Sequence, residues 1–334
     1  MTFSNNAFPF GFRIVGNTTN DRRLVDWSAA FRGCCECDDR AEVERESYLS
    51  AFCFGSDFRR HLADTGSTKS YSGATWSPWL WFDIDRDDID QATRDARRLA
   101  AGLVERFAMD TDDLLAFFSG SKGFHVGLPL SICGSPESSQ TFHKVCRRFA
   151  ESVATRSNVA VDAGVYDRVR AFRAPNSKHP KTGLHKRRLT VGELMGLTTR
   201  RIVELAAEPE PFDIPEPARV ADQAVRDWSA AIELVESEHR AAEMRRGTTG
   251  KAGAKLNRAT MDFIRDGATS GGTTNDQALG VGRHRLLFSA AANLAEFGCS
   301  LELAEALLTE PALDSGLTPS DVARQIRCGL NHKT

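Results

Sequence analysis

The sequence lacks long hydrophobic runs, a strong excess of one charge and regularly spaced cysteines. Its apolar runs span only a handful of residues, far fewer than a bilayer-spanning helix needs. Its first residues lack the basic and then apolar order of a secretory signal. The eight cysteines do not show the dense pattern of a small secreted scaffold. These absences argue against membrane and disulfide-rich proteins and favour a cytoplasmic chain with reduced thiols.

The formal net charge of -2 hides an uneven distribution along the chain. Between Asp167 and Arg188 there are eight Lys or Arg residues and one acid. A segment of this kind is either fully solvated or meets an anionic partner. A second cation-rich stretch runs from Arg240 to Arg265. We expect both stretches to lie near a nucleic-acid path.

Length and patterning predict two domains. With 334 residues the chain exceeds the usual size of one domain. Residues 1 to about 70 show few clear periods and predict only short elements. Strand and helix patterns then alternate, which is typical of α+β or α/β proteins with a mixed sheet. The predicted division is a catalytic domain at 1–205, a proline-rich linker at 206–218 and a helical domain at 219–334.

The first candidate site residues are two carboxylates, Asp83 and Asp85. They end the run WLWFDID, whose period of two predicts a strand with both carboxylates on one face. Two like charges there repel each other unless a cation neutralises them, and Mg²⁺ prefers carboxylate and phosphate oxygens. The alternative is a strand end with two solvated aspartates, and the short motif alone favours that alternative.

The second candidate group is a glycine-bearing turn between two predicted strands, LLAFFSG and FHVGLPL. Ser119, Ser121 and Lys122 lie in this turn, where backbone N–H groups and a lysine charge can hold a triphosphate. His125 alternates with two apolar neighbours, so it should face away from the core that they fill. An ordinary tight turn and a surface histidine are the alternatives.

The third candidate group begins at Asp162, which follows the apolar run VAV and is expected to close a short strand. Arg170, Arg173 and Lys178 come after it. A third carboxylate would complete a site for two metal ions, and arginine can bind phosphate through two parallel hydrogen bonds. A solvated basic loop is the weaker alternative, because the charges are interleaved with apolar residues.

The order of these motifs, D-x-D, then S-G-S-K-G-x-H, then an isolated Asp before a basic loop, resembles the archaeo-eukaryotic primase superfamily. This superfamily includes primase-polymerases and the polymerase domain of bacterial end-joining ligases. The match covers residues 65 to 190. It implies an α+β fold, with a catalytic half like the RNA-recognition motif joined to an N-terminal α/β module. The chain after residue 218 looks similar to the small all-α domains that follow many mobile-element primases.

The resemblance also implies an activity. The chain would be a template-dependent DNA primase or DNA polymerase that adds nucleotides by two-metal nucleotidyl transfer in DNA replication. The implied cofactors are two Mg²⁺ or Mn²⁺ ions. The implied partners are a single-stranded DNA template, a primer and nucleoside triphosphates. No G-x-x-x-x-G-K-[ST] string is present, so unwinding would come from a separate helicase.

Residue roles follow from the resemblance position by position. The implied metal ligands are Asp83, Asp85 and Asp162, and His125 joins them in the catalytic set. The implied nucleotide-binding residues are Ser119, Ser121, Lys122, His125, Arg170, Arg173 and Lys178. The cationic run Lys186, Arg187 and Arg188 is expected to bind the template.

Three alternative interpretations remain open. A catalytically silent nucleic-acid-binding replication protein of the same fold is the main alternative. A phosphoesterase would need a residue that activates water, and no H-x-H or H-D pair stands near the aspartates. A zinc site at Cys34, Cys35 and Cys37 with Cys53 and His61 is disfavoured, because the spacing departs from the paired C-x₂-C pattern.

Overall fold

The computed structural model describes residues 7–249, 256–267 and 281–332. The chain divides into two units, Met1–His239 and Arg240–Thr334. Part of the second cation-rich stretch, residues 250–255, lies outside the described residues. Within the described ranges, none of the helices combines the length and apolar character needed to cross a membrane. The domain bounds drawn from the sequence stay a prediction.

The first unit contains two sheets, and the N-terminal one is built around short strands. Its strands are β1 Phe10–Val15, β2 Arg23–Asp26, β3 Ser47–Ser50, β4 Cys53–Phe54, β5 Thr75–Trp76 and β9 Ala171–Arg173. They lie in the order β5-β4-β1-β3-β9, with β2 paired to β1. Helices α1 (Trp27–Glu36) and α2 (Ser56–Thr65) belong to the same region. This region is more regular than predicted, because strands of two to six residues are too short to show a clear period.

The second sheet carries the candidate site. Its strands are β6 Trp79–Asp85, β7 Leu115–Phe118, β8 Gly123–Pro129 and β10 Arg187–Leu189, in the order β10-β7-β8-β6. Helices α3 (Ile89–Phe107) and α4 (Phe142–Arg156) follow β6 and β8 in the chain. The predicted α+β class is confirmed. The described strand pairings of both sheets are antiparallel, where a mixed sheet was expected.

Local sequence explains where these elements start. The helix α3 begins after Asp88, whose side chain accepts hydrogen bonds from the backbone N–H groups of Asp90 and Gln91. Its apolar stripe, which includes Leu99 and Leu103, is fully buried. The first unit also holds two short helices, α5 (Val191–Gly196) and α6 (Thr199–Leu205).

The apolar run at 159–161 does not form the predicted strand. Asp162 instead caps a 3-10 helix, Ala163–Tyr166, and its side chain accepts a hydrogen bond from Gly164 N. A backbone hydrogen bond of 2.9 Å, from Asp162 N to Asp83 O, joins the segment to β6. The chain therefore reaches the edge of the sheet and turns away there, because the cap starts a helix at this residue.

The second unit is helical. A long helix, α7 (Asp222–Thr249), begins in the first unit, where Trp228 packs on Phe142 and Phe149. The later helices are α8 Arg258–Asp266, α9 Val281–Ala295, α10 Leu301–Asp314 and α11 Pro319–Leu330. They enclose a separate apolar core that includes Leu287 and Ile326.

Asn176 connects three segments of the first unit. It is fully buried and has a positive φ of 58°, a conformation that asparagine tolerates better than most residues. Its Nδ2 donates to Cys34 O at 3.1 Å and Glu210 O at 3.0 Å, while its Oδ1 accepts from Glu210 N at 3.1 Å. Its backbone N donates to Lys186 O at 3.0 Å. The side chain thus joins α1, the proline-rich segment and the cation-rich segment.

Replacing this side chain should be costly. Asn176→Ala leaves several buried backbone groups without partners, so we expect a loss of roughly 3 kcal/mol or more in the free energy of unfolding. Asn158→Ala is the matched control, because Asn158 also has a positive φ, of 51°, but is exposed. It should lose only about 1 kcal/mol. Urea denaturation of both variants measures the difference, and equal losses would contradict the role given to the Asn176 side chain.

Candidate active site

The three predicted carboxylates meet at the end of β6. Asp83 and Asp85 stand two residues apart in that strand, so their side chains lie on one face of the sheet. Asp162 joins them through its backbone bond to Asp83. Asp83 is the most enclosed of the set, with 19% of its side chain exposed against 49% for Asp162.

This arrangement perturbs Asp83. Burial, followed by the charges of Asp162 and Asp85, raises the pKa of Asp83 to about 6, while Lys186 and Arg170 act in the opposite direction. A carboxylate pushed toward its neutral form by its neighbours is stabilised when a cation binds beside it. The three aspartates thus form a cluster whose repulsion a positive ligand would relieve.

The carboxylate oxygens of the three aspartates are ligands of the chemical type that a hard divalent cation binds. Carboxylate oxygens are the ligands that Mg²⁺ and Mn²⁺ prefer. Within residues 7–249, 256–267 and 281–332, no group of three His, Cys, Asp or Glu side chains is arranged to hold a metal ion. The three aspartates therefore fit a metal ion by chemistry, and their side chains would have to turn toward a common point to bind one.

His125 lies directly beside Asp83. The two residues are opposite each other in the antiparallel pair β6–β8, and His125 Nε2 lies 3.4 Å from Asp83 Oδ1. The ring of Phe172 covers the imidazole at a centroid distance of 4.4 Å. Burial, followed by the charges of Lys186 and Arg173, holds the pKa of His125 well below its usual value. The imidazole is therefore neutral near pH 7 and has one N–H to donate.

The predicted turn joins β7 to β8 and borders the same cleft. Gly123 N donates to Ser119 Oγ at 3.2 Å, and Ser119 N donates to Gly123 O at 2.9 Å. Gly120 has a φ of 85°, and a Cβ atom there would lie 3.0 Å from Leu184 O, so only glycine fits. Lys122 Nζ contacts Asp87 Oδ1 at 2.8 Å on the surface. Exposed ion pairs of this kind are weak, so Lys122 can exchange partners readily.

Two of the predicted arginines line the same cleft. Arg170 Nη2 lies 3.8 Å from Asp162 Oδ2. The guanidinium of Arg173 lies 5.1 Å from the centre of the Tyr48 ring and donates to its hydroxyl at 3.2 Å. Because Tyr48 and Arg173 are opposite each other in β3 and β9, the sheet itself holds this arginine in place.

Together these side chains line an open cleft of about 460 Å³. The predicted residues that line it are Asp83, Asp85, Ser119, Ser121, Lys122, His125, Arg170 and Arg173. Two predicted residues are absent from this lining. Lys178 Nζ binds Glu44 Oε2 at 2.7 Å, and Asp162 lies beside Asp83, to which its backbone N donates. The cleft therefore carries acidic groups, a neutral imidazole and cations in one place.

The template-binding role expected for Lys186, Arg187 and Arg188 does not fit their positions. Lys186 is fully buried and donates to Arg173 O. Arg187 is 8% exposed and forms an ion pair with Glu210. Arg188 donates to Leu114 O at 2.9 Å, and its guanidinium lies over the Phe212 ring. These cations stabilise the first unit. Arg187 and Arg188 belong to β10, which pairs with β7, and Lys186 directly precedes this strand, so all three contact other parts of the unit.

The cleft also contains residues that the sequence analysis missed. They are Glu46 and Tyr48 on one side, and His179 and Lys181 on the other. His179 and Lys181 lie in the cation-rich segment, so counting histidine together with lysine and arginine would have marked the stretch around them. Glu46 and Tyr48 sit in and beside a four-residue strand in a region that shows no period, and no sequence signal points to them.

No protein-family model and no curated protein matches the chain. Among solved structures, the crystal structure of primase RepB' is 15% identical over 98% of this chain and 91% of its own, with a TM-score of 0.34. The polymerase domain from Mycobacterium tuberculosis ligase D in complex with DNA is 17% identical over 63% of this chain and 79% of its own, with a TM-score of 0.32. A primase and a polymerase domain are the classes of protein that the motifs resemble. At these TM-scores the function argued below rests on the side chains of the cleft.

The raised pKa of Asp83 predicts a pH-dependent stability of the metal-free protein. Because its pKa is about 6 in the folded state, against 3.8 in a free side chain, the folded state binds more protons between these values. The contribution of Asp83 to the free energy of unfolding therefore falls as the pH rises through that window. We expect Asp83→Asn to be more stable than the wild type by roughly 1–3 kcal/mol near pH 7, and equally stable below about pH 4.

Chemical denaturation across this pH range, with a chelator present, measures the effect. Asp87→Asn is the control, because Asp87 is exposed and its bond to Lys122 lowers its pKa. That variant should show no gain near pH 7. A wild type as stable as Asp83→Asn at every pH would contradict the repulsion assigned to the three aspartates.

Proposed function

We propose that the protein is a template-dependent nucleotidyltransferase of the primase-polymerase type. The observation that carries the proposal is a cleft lined by Asp83 and Asp85, a glycine turn and two arginines, with Asp162 bonded to Asp83 at its edge. Acidic groups on one side suit metal ions, and N–H groups and cations on the other suit a triphosphate. Nucleotidyl transfer needs both in one cleft.

The three aspartates would hold two Mg²⁺ or Mn²⁺ ions, which in nucleotidyl transfer activate the primer hydroxyl and stabilise the pyrophosphate that leaves. Asp83 would be central to that set, because burial and the two neighbouring carboxylates disfavour its ionised form, and a bound cation would favour that form. Asp85 is the most exposed part of β6, which leaves its carboxylate accessible from the cleft.

The other side of the cleft would bind the nucleotide. Arg173 presents a guanidinium held on Tyr48, which suits two parallel hydrogen bonds to a phosphate. Among residues 7–249, the ion pair of the Arg170 side chain is with an Asp162 oxygen at 3.8 Å, a weak contact that it could exchange for a phosphate. Ser119, Ser121 and the turn between them would add hydroxyl and N–H donors. His179 and Lys181 join this set by position.

His125 would contact a phosphate oxygen as a neutral donor. Its burial removes the positive charge near pH 7, so the contact is a hydrogen bond and not an ion pair. Its position beside Asp83 would put that bond next to the metal site. Template contacts are assigned to no part of the run 186–188, whose cations are used inside the unit.

The test is primer extension with a DNA template, a labelled primer, nucleoside triphosphates and Mn²⁺. We expect extension by the wild type and a loss of about 10³-fold or more in Asp83→Asn and Asp162→Asn, because each removes a metal ligand. Asp167→Asn is the control, since Asp167 is exposed and only five residues from Asp162. Template binding without extension would support the silent replication protein instead. Degradation of the primer would support a phosphoesterase.

The role of His125 has its own test. His125→Ala should raise the KM for the nucleotide by about tenfold or more, because a buried donor to a phosphate is lost. Template affinity should stay nearly unchanged. His143→Ala is the control, because His143 lies on α4, is also partly buried and does not line the cleft. An equal loss of template affinity and nucleotide use in His125→Ala would count against the phosphate contact.

A further inference from the structure

Lys186 is a buried lysine in an aromatic enclosure. It has no exposed surface. Its Nζ lies 4.4 Å from the centre of the Phe172 ring, 4.8 Å from that of Phe117 and 5.2 Å from that of Trp81. The same atom donates a hydrogen bond of 2.8 Å to Arg173 O. The ammonium therefore has three ring faces and one carbonyl as its surroundings.

Stability does not explain a lysine at this position. An ammonium is strongly hydrated, and its transfer into an apolar interior is costly even with rings and a carbonyl around it. Burial accordingly lowers the pKa of Lys186 to about 7. A methionine of similar length would fill the same space without that cost. A group that costs stability and sits beside a functional cleft points to a role in that cleft.

The partners of Lys186 come from both sides of the candidate site. Trp81 stands two residues before Asp83 in β6, and Phe117 is opposite His125 in the pair β7–β8. Phe172 and Arg173 belong to β9 in the other sheet. The ammonium therefore lies where the sheet that carries the carboxylates meets the strand that carries the arginine.

We propose that Lys186 is a positioning residue for the nucleotide site. Its hydrogen bond to Arg173 O and its contacts with the three rings fix β9 against the second sheet. This sets the separation between the guanidinium of Arg173 and the carboxylates of β6. The role assigned to Arg173 rests on the function proposed above, whereas the fixing of β9 does not.

The test compares Lys186→Met with Arg188→Met. Lys186→Met keeps the length of the side chain and removes the charge and the bond to Arg173 O. Arg188→Met removes a neighbouring cation whose hydrogen bonds, within the described part of the chain, go to Leu114 O and Ala116 O and not to β9. Three quantities are measured: the melting temperature, amide hydrogen exchange along the chain, and the affinity for a nucleoside triphosphate with Mn²⁺.

For Lys186→Met we expect an unchanged or higher melting temperature, because a buried charge is removed. Exchange should become faster in residues 168–178, and nucleotide affinity should fall by about tenfold, the equivalent of one charged hydrogen bond. For Arg188→Met, exchange should become faster around residues 112–118 instead, and nucleotide affinity should change by less than about twofold.

The outcomes separate the two proposals. Unchanged exchange in residues 168–178 of Lys186→Met overturns the positioning role, whatever the nucleotide does. Faster exchange there with unchanged nucleotide affinity overturns it as well. A melting temperature and an affinity that fall together in both variants would show a general structural role and overturn it. A wild type that binds no nucleotide would contradict the proposed function. Faster exchange in residues 168–178 of Lys186→Met would in that case still support the fixing of β9.

Discussion

Three carboxylates repel one another at the end of β6, and the rest of the candidate site depends on how this repulsion is opposed. Antiparallel pairing fixes Asp83 and Asp85 on one face, and the backbone bond from Asp162 N brings a third negative group to the same place. The strand β6 itself contains no cationic side chain that could oppose this repulsion. The charges that oppose it, from Arg170 and Lys186, come from the cation-rich segment. The site is therefore a balance between β6 and a segment that begins more than eighty residues later in the chain.

That balance depends on how the two sheets meet. Trp81 packs on Phe117 of its own sheet and on Phe172 of the other sheet, and the Lys186 ammonium lies against all three rings. Asn176 then ties the chain beyond β9 to α1 and to the proline-rich segment. Polar groups buried in this way specify one arrangement of the backbone, because any other leaves donors or acceptors without partners. The position of the arginines is thus set by buried contacts well below the cleft surface.

Much of this site could be predicted from local pattern. The period of WLWFDID gave the face shared by Asp83 and Asp85, and the glycine turn was visible in SGSKG because only glycine suits its backbone. The strand expected before Asp162 was wrong, since a single residue that caps a helix overrides an apolar run of three. The N-terminal strands were missed because they are too short to show a period. The pairing of β3 with β9 places Tyr48 beside Arg173, and neither local sequence contains a pattern that predicts this pairing.

The cation-rich segment shows why a charge count cannot predict a nucleic-acid surface. Arg168 donates to Tyr71 O and Gln140 O, Arg187 pairs with Glu210, and Lys178 pairs with Glu44. Arg168 and Arg187 are at least partly buried with these partners, so they offer little to an external phosphate. Lys178 forms an exposed pair outside the cleft. The cations of the segment that line the cleft are Arg170, Arg173 and Lys181. Since Asp83 and Asp85 line the same cleft, the segment suits a compact anion such as a triphosphate better than the extended backbone of a template.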